Sequence, residues 1–340
     1  KKTNIFMIYI TIIFLFLIFL LISKKYLKIS IKKDNRLAHQ IYTADKYVPL
    51  VGGYFILIPV FFNYTILLQI LLFSLIFLIG VLSDIRFLNS PKLRFLMQFF
   101  LAILFIFFSE TYLIDTGIYI LDNLLTHKIF NILFVAFCIL ILMNGTNFID
   151  GLNGLVSGYY IIVLLIIIYL GNNNIDFVNY DFYKVVIFTL FIIFILNLLN
   201  KIYLGDGGSY LLSFIIGTSI VKLYTQNSQI SSLFIVLLLW YPCFENLFSI
   251  IRKFYQKKSP LQPDNKHFHQ LEFNFIKKKF KIKNILLSNN ITSILIISYN
   301  MGALFLGSLY VQSTNFQVLI IVFNILFYIF LYQKLYKYNY

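Results

Sequence analysis

Residues 65–109 read TILLQILLFSLIFLIGVLSDIRFLNSPKLRFLMQFFLAILFIFFS. Two apolar runs, about 65–83 and 94–109, enclose a polar turn that carries Asp84, Arg86 and Lys92 and ends at Arg94. A helix needs roughly 20 apolar residues to cross a hydrocarbon core ~30 Å thick, and each run approaches that length. The apolar residues are continuous and do not alternate, so they read as helices and not as barrel strands.

The pattern repeats on both sides of this segment. Further runs fall at about 4–22, 49–63, 129–143, 155–170, 184–199, 208–223, 231–250, 291–311 and 316–333. The stretch 110–127, with Glu110, Asp115 and Asp122, reads as a short re-entrant or interfacial piece. Of the 340 residues 60% are hydrophobic and 12% charged, about half the ~25% of a soluble domain. Mean hydropathy is +0.85. These values exclude a collagen, a coiled coil, a disordered tail and a soluble two-domain enzyme. The fold class expected is an all-α polytopic membrane protein, a single domain over 1–340 with about 10–11 transmembrane helices. Cys138 and Cys243 sit in separate apolar runs, a spacing that suits neither a disulfide framework nor a thiolate metal site.

There are 28 Lys and Arg against 13 Asp and Glu, a net charge of +15. In a membrane chain this excess marks orientation, and no nucleic-acid partner is expected. Lys24, Lys25, Lys28, Lys32, Lys33 and Arg36 follow the first run, so the positive-inside rule puts its C-terminal end in the cytoplasm and the N-terminus outside. Ile22-Ser23-Lys24 offers no small-residue cleavage site, so the run reads as a retained anchor. Alternating from there assigns the segments at about 23–48, 83–94, 144–154, 200–207 and 251–290, and the tail, to the cytoplasm. They hold 23 of the 28 cations, and only Lys1, Lys2, Lys128, Lys184 and Lys222 remain near the outer face.

Polar interruptions of apolar sequence are costly in a membrane and need a reason. Five gather on the cytoplasmic side: HQIYTADKYVPLVGG (39–53), SDIRFLNSPKLRFLMQ (83–98), NGTNFIDGLNGL (144–155), NKIYLGDGGSYLL (200–212) and SPLQPDNKHFHQLEF (259–273). The third places Asn144, Asn147, Asp150 and Asn153 at spacing three, one broad helical face able to converge on a polar ligand. The fourth places Asp206 among glycines at a helix start, where backbone N–H groups attract anions and a carboxylate can hold a divalent cation. Plainer readings stand beside these: Asn caps in a hydrophilic loop, a glycine-rich helix start, Asp84 as a helix-end charge, His267 and His269 in a solvated loop, and Gly52-Gly53 as a helix-packing contact. One face with three acids, amides, two histidines and many cations is nevertheless the equipment for metal-assisted phosphoryl transfer. His39, Asp84, Asp150, Asp206 and His267 are all expected on it.

In register from about 36 to 273, these blocks resemble the polyprenyl-phosphate N-acetylhexosamine-1-phosphate transferases. VPLVGG (48–53) resembles the family's Pro-x-x-Gly-Gly, and SDIRFLNSPKLRFLMQ its Asp-Asp block with a following basic residue and Gln. NGTNFIDGLNGL resembles Asn-x-x-Asn-x-x-Asp-Gly-x-x-Gly, NKIYLGDGGS the Lys-x-x-x-Gly-Asp-x-Gly-Ser block, and SPLQPDNKHFHQL the Pro-Asp-x-x-His-x-His-His loop. The resemblance implies a cytoplasmic cleft in the bacterial inner membrane that transfers a sugar 1-phosphate from a UDP-N-acetylhexosamine to undecaprenyl phosphate. UMP would be released and Mg²⁺, or Mn²⁺ in its place, required. It implies Asp84, Asp150 and Asp206 as catalytic acids, with Asp206 the metal ligand. Asn144, Asn147, Asn153, Lys201, His267, His269, Gly52 and Gly53 would bind substrate. The product would begin a surface polysaccharide such as O-antigen. Three positions depart from the pattern: Ser83 for the first Asp of its pair, Asn153 for an Asp, and Gln270 for a third His. Alternatives are the phospho-muramoyl-pentapeptide translocase of peptidoglycan synthesis, a transporter or flippase for which intramembrane Glu245 would suit, and an inactive member of the family.

Overall fold

The structure is a computed structural model that describes residues 2–23, 48–63, 66–171, 180–227, 229–259 and 264–339. Among these residues the chain forms fourteen helices: α1 (Lys2–Ser23), α2 (Gly52–Asn63), α3 (Leu67–Asp84), α4 (Pro91–Ser109), α5 (Tyr119–Leu125), α6 (Lys128–Ile149), α7 (Leu155–Gly171), α8 (Tyr180–Leu198), α9 (Gly205–Gln226), α10 (Ser232–Leu238), α11 (Trp240–Tyr255), α12 (Phe268–Lys279), α13 (Ile285–Ser308) and α14 (Thr314–Asn339). Extended pairing among them is limited to one parallel bridge, Leu50 with Tyr203. The expected loop position of His39 lies outside the described residues.

Every apolar run read from the sequence is helical, and the chain is an all-α, multi-pass membrane protein. Among the described residues six helices, α3, α4, α6, α8, α13 and α14, are long and apolar enough to cross a bilayer; α10 and α11, bent by 77° at Leu239, make a seventh span if counted together. Shorter apolar helices occupy Met7–Ile18, Gly52–Phe62 and Leu155–Gly171. The run at 231–250, expected as one apolar span, is bent at Leu239. Of the interfacial stretch 110–127, Tyr119–Leu125 is helical. The basic loop 251–290 contains a helix the sequence reading did not anticipate, α12. It buries Phe268, Leu271, Phe273 and Ile276 and ends in Lys277, Lys278 and Lys279, so its apolar side packs on α13 and α14 and its cations remain at the C-terminus, where the helix dipole favours them.

The centre of the bundle is α9, flanked by α2, α3 and α6 and buried along most of its length. It carries polar residues that a lipid-facing helix would not tolerate. Ser213 Oγ donates to the Ser209 carbonyl at 2.6 Å and Thr218 Oγ1 to the Phe214 carbonyl at 2.8 Å, so these hydroxyls are satisfied by the helix itself. Phe73, Phe105 and Phe214 meet edge to face, with ring centroids 5.0, 5.5 and 5.1 Å apart, and tie α3 and α4 to α9. At its N-terminal end α9 touches its neighbours through backbone. A Cβ on Gly80 would lie 2.3 Å from Gly207 Cα, and one on Gly53 would lie 2.6 Å from Gly208 N. Small residues thus permit the approach that sets the depth of the α9 start.

Two outcomes follow. Gly80→Ala must push α3 away from backbone that cannot yield, and it is expected to destabilise by about 1–3 kcal/mol, read as a lower midpoint of thermal unfolding in detergent, with Gly302→Ala, where a Cβ meets open space, as the silent control. Glu272 on α12 is raised by burial from its ordinary 4.5 to about 8. Between those values the native state keeps a proton that the unfolded chain has lost, so this group makes stability fall as pH rises through that window and level off above it. Glu272→Gln should flatten that part of the midpoint-versus-pH curve.

Candidate active site

Asp84 ends α3, and its carboxylate spans the start of α9: Oδ1 accepts the Asp206 N–H at 3.0 Å and Oδ2 the Gly207 N–H at 3.3 Å. A side chain from another helix thus performs the task of an N-cap. Gly205 stands at φ +78, and a Cβ there would come 2.8 Å from Asp84 Oδ2, so the turn requires glycine twice over.

Asp206 follows at once, and three elements hold it. Its Oδ1 accepts from Asn147 Nδ2 of α6 at 2.7 Å, and its Oδ2 accepts from Ser83 Oγ at 2.6 Å and from Arg94 Nη1 of α4 at 3.1 Å. Arg94 Nη1 also donates to Ser83 Oγ. Asp150, just past the C-terminus of α6, accepts from Ser209 Oγ at 2.9 Å. Burial pushes the Asp150 carboxyl up, the Ser209 bond pulls it down and the charge of Asp206 pushes it up again, leaving it well above the usual carboxylate range. Asp84, Asn147, Asp150, Asn153, Asn197, Tyr203 and Asp206 line one cleft of about 40 Å³.

Amides shape the rim. Asn153 N–H donates to Asn289 Oδ1 at 2.7 Å, Gly154 N–H to Asn197 Oδ1, and Asn197 Nδ2 to the Ile202 carbonyl at 2.7 Å. The loop after α6 is thereby fastened to the end of α8 and to α13. The imidazole of His269 lies against Gly151, where a Cβ would fall 2.3 Å from Nε2, which places this histidine at the edge of the cleft. His267 meets Phe148 in a tilted contact and stacks on His269, at centroid distances of 5.1 and 5.8 Å.

His267 is itself clamped. Its Nδ1 is 2.9 Å from Glu245 Oε1 of α11, and its Nε2 is 3.6 Å from Asp264. Glu245 Oε1 also accepts the Phe268 N–H at 3.3 Å, and its Oε2 accepts from Tyr328 OH at 2.6 Å. Arg252 grips Asp264 with two bonds of 2.7 and 3.2 Å. Gln270, at the family's third histidine position, accepts the His267 N–H at 3.2 Å and so serves the start of α12.

Several residues singled out from the sequence lie elsewhere. Asn144 Nδ2 donates to the Leu140 carbonyl at 2.9 Å and to Gln98 at 3.4 Å, one turn away from the cleft lining. Lys201 is exposed and does not line the cleft. Gly52 and Gly53 serve packing, Gly52 N–H donating to the Tyr203 carbonyl at 3.0 Å. Sequence reasoning missed Arg94 and Ser83 as partners of Asp206, and Glu245 as the partner of His267. A lone carboxylate inside an apolar run was the available signal for Glu245. Among the described residues no three His, Cys, Asp or Glu side chains converge as a ready-made metal-ligand set.

The family model described as "Glycosyl transferase family 4" matches residues 66–224, which contain Ser83, Asp84, Asp150 and Asp206. An undecaprenyl-phosphate alpha-N-acetylglucosaminyl 1-phosphate transferase of Thermotoga maritima is 29% identical over 75% of this chain and 76% of its own. Over residues 66–224, then, the chain is similar to glycosyl transferase family 4. A probable undecaprenyl-phosphate N-acetylglucosaminyl 1-phosphate transferase of Bacillus subtilis is 28% identical over 69% of this chain and 67% of its own. A phospho-N-acetylmuramoyl-pentapeptide-transferase of Staphylococcus carnosus is 31% identical over 43% and 46%. The matched region ends before His267 and His269, whereas the acids of the cleft fall inside it.

If Asp84 caps α9, Asp84→Ala should speed amide exchange at residues 204–208 and lower stability by about 1–2 kcal/mol. Asp84→Asn, which keeps one acceptor oxygen, should do markedly less. Equal exchange in the two variants would leave the cap without a role.

Proposed function

We propose that this chain transfers an N-acetylhexosamine 1-phosphate from a UDP-sugar to a polyprenyl phosphate, undecaprenyl phosphate in a bacterial inner membrane, and releases UMP as the first step of a surface polysaccharide. The observation that carries the reading is the meeting of Asp84, Asp150 and Asp206 with Asn147 in one cleft, in a chain whose relatives bear the name of this activity. The end of the bundle that holds the cleft also bears the basic loop, so the positive-inside rule favours a cytoplasmic site, with the N-terminus outside.

In the reaction a phosphate oxygen of the acceptor attacks the β-phosphorus of the donor. The bond from that phosphorus to the bridging oxygen breaks, and UMP leaves with the electron pair. A phosphate monoester has a second pKa near 6, so the acceptor is largely a dianion at neutral pH and needs no strong base. This accommodates Ser83, which puts a hydroxyl where the family has a carboxylate. Ser83 and Arg94 orient Asp206 instead. Asn147 and Asn153 would meet the polar parts of the nucleotide sugar, and His267, His269 and the cations of the basic loop its diphosphate.

Mg²⁺ suits the donor set: it takes oxygen ligands, usually one or two carboxylates completed by substrate phosphate and water, and a cleft of about 40 Å³ has room for on the order of three water-sized ligands. Asp206 and Asp150 are the residues that would hold it, and when bound it would neutralise charge on the diphosphate.

Purified protein with polyprenyl phosphate, Mg²⁺ and a panel of UDP-N-acetylhexosamines is expected to release UMP, and Asp206→Asn should lower turnover by at least about a hundredfold without loss of folding. Activity should rise with pH around the acceptor pKa of about 6 and then level. UMP release only with the UDP-muramoyl-pentapeptide would assign the chain to the translocase reaction. Failure with every donor, reversed by Ser83→Asp, would show that the missing carboxylate is indispensable.

A further inference from the structure

Glu272 is the last acidic residue of the sequence. Residues 273–340 carry seven lysines, Lys277, Lys278, Lys279, Lys281, Lys283, Lys334 and Lys337, and no Asp, Glu or Arg. The fold brings these lysines to one corner. Lys277, Lys278 and Lys279 close α12, and Lys281 and Lys283 link it to α13. The end of α14 lies beside α12: the Phe275 and Tyr338 rings meet with centroids 4.8 Å apart, and Asn339 Nδ2 donates to the Leu271 carbonyl at 3.0 Å. Lys278, Lys279, Lys281, Lys283, Lys334 and Lys337 are exposed. Among the described residues none of the seven forms an ion pair.

The corner sits where two spans meet the membrane surface. Helix α13 begins at Ile285, directly after Lys283 and Asn284, and the lysines of α14 stand in its last turns; both helices are long and apolar enough to cross a bilayer. Phe280, 65% exposed, lies among the cations. Lys279 Nζ is 5.0 Å from the Phe275 ring centroid and 6.0 Å from that of Phe280, and Lys334 Nζ is 4.3 Å from that of Phe330. Rings interleaved with ammonium groups suit the depth of lipid headgroups. The donor held at the cleft is too far away to balance this charge, since Lys279 stands roughly 18 Å along α12 from His267. We propose that the corner formed by the end of α12, the start of α13 and the end of α14 binds the headgroups of anionic phospholipids. Lysine suits that partner, because its three donors meet a phosphate without a fixed geometry.

Helix α12 is then seated at both ends. At its start Glu245 holds His267 Nδ1 at 2.9 Å and the Phe268 N–H at 3.3 Å. At its end anionic headgroups offset cations that otherwise repel one another, each lysine near such a surface adding roughly a fivefold gain in affinity. Anionic lipid therefore steadies the helix that carries His267 and His269 to the edge of the cleft. Any effect on transfer rests on the proposed function; the binding does not.

The test uses the full chain in phosphatidylcholine nanodiscs holding a trace of phosphatidylglycerol with a headgroup diazirine. Crosslinks are expected on residues 277–284 and 334–339, and unlabelled phosphatidylglycerol should compete for them where added phosphatidylcholine does not. Raising the salt from about 0.1 M to about 1 M, which shortens the screening length from ~10 to ~3 Å, should weaken the labelling. The triple variant Lys278→Gln, Lys279→Gln, Lys281→Gln changes only exposed side chains and should lower labelling by at least about tenfold. Lys92→Gln with Lys201→Gln, exposed and outside α12 and α14, should label as the parent does. Amide exchange along α12 should slow when phosphatidylglycerol replaces phosphatidylcholine, and the triple variant should lose that response. Labelling that is indifferent to salt, that phosphatidylcholine competes away equally, or that survives the triple variant would overturn the site. Displacement by polyprenyl phosphate at a far lower mole fraction than phosphatidylglycerol would overturn it too, by giving the corner to the acceptor. Labelling and exchange are read without turnover, so their failure is distinguishable from failure of the transferase reading.

Discussion

The carboxylate of Asp84 on the first amides of α9 is the contact on which the site depends. A helix whose first turn is buried within a protein has N–H groups with no intrahelical acceptor, and burial costs free energy unless another group accepts from them. Asp84 supplies that acceptor from α3, to Asp206 N–H and Gly207 N–H. The bond needs α3 and α9 close together, which Gly80 and Gly207 allow by meeting backbone to backbone. Helix capping and close packing are here one requirement, and it fixes where the next side chain, Asp206, projects.

From that fixed point the cleft follows by short steps. Ser83 precedes Asp84 and reaches Asp206 Oδ2; Arg94 reaches the same oxygen from α4; Asn147 takes Oδ1 from α6. Ser209, one turn along α9 from Gly205, donates to Asp150. The acids are thus set by helices that are independently packed, an arrangement that holds geometry better than loops do. The histidine side is built differently. There the start of α12 is seated on Glu245, and His267 is drawn to the same carboxylate.

Much of this was legible in the sequence because it is encoded locally. Each apolar run became a helix, since continuous apolarity over a membrane-scale length has few other solutions. Asp84, Asp150 and Asp206 were found because they interrupt such runs at one end. What the sequence hid are long-range matters: the 77° break at Leu239, helix α12 inside a segment dominated by Lys, and the pairing of Glu245 with a histidine 22 positions away. Gly52 and Gly53 show the converse. They stand out in a motif, yet their neighbours are Leu204, Tyr203 and Gly208, a packing contact.

Ser83 is the departure that the geometry makes intelligible. A carboxylate in place of its hydroxyl would set a second negative charge within hydrogen-bond distance of Asp206 Oδ2, in a cleft that already contains Asp84 and Asp150. Like charges so placed must be offset by a cation or by proton uptake. Arg94 is the guanidinium within reach, and it is already engaged with Asp206 and Ser83 together. A hydroxyl instead contributes a donor and no charge, so one arginine serves for the pair. The position that looks like a loss in the motif therefore lowers the electrostatic load on Asp206, and the carboxylate that remains beside it, Asp84, is the one whose oxygens α9 already occupies.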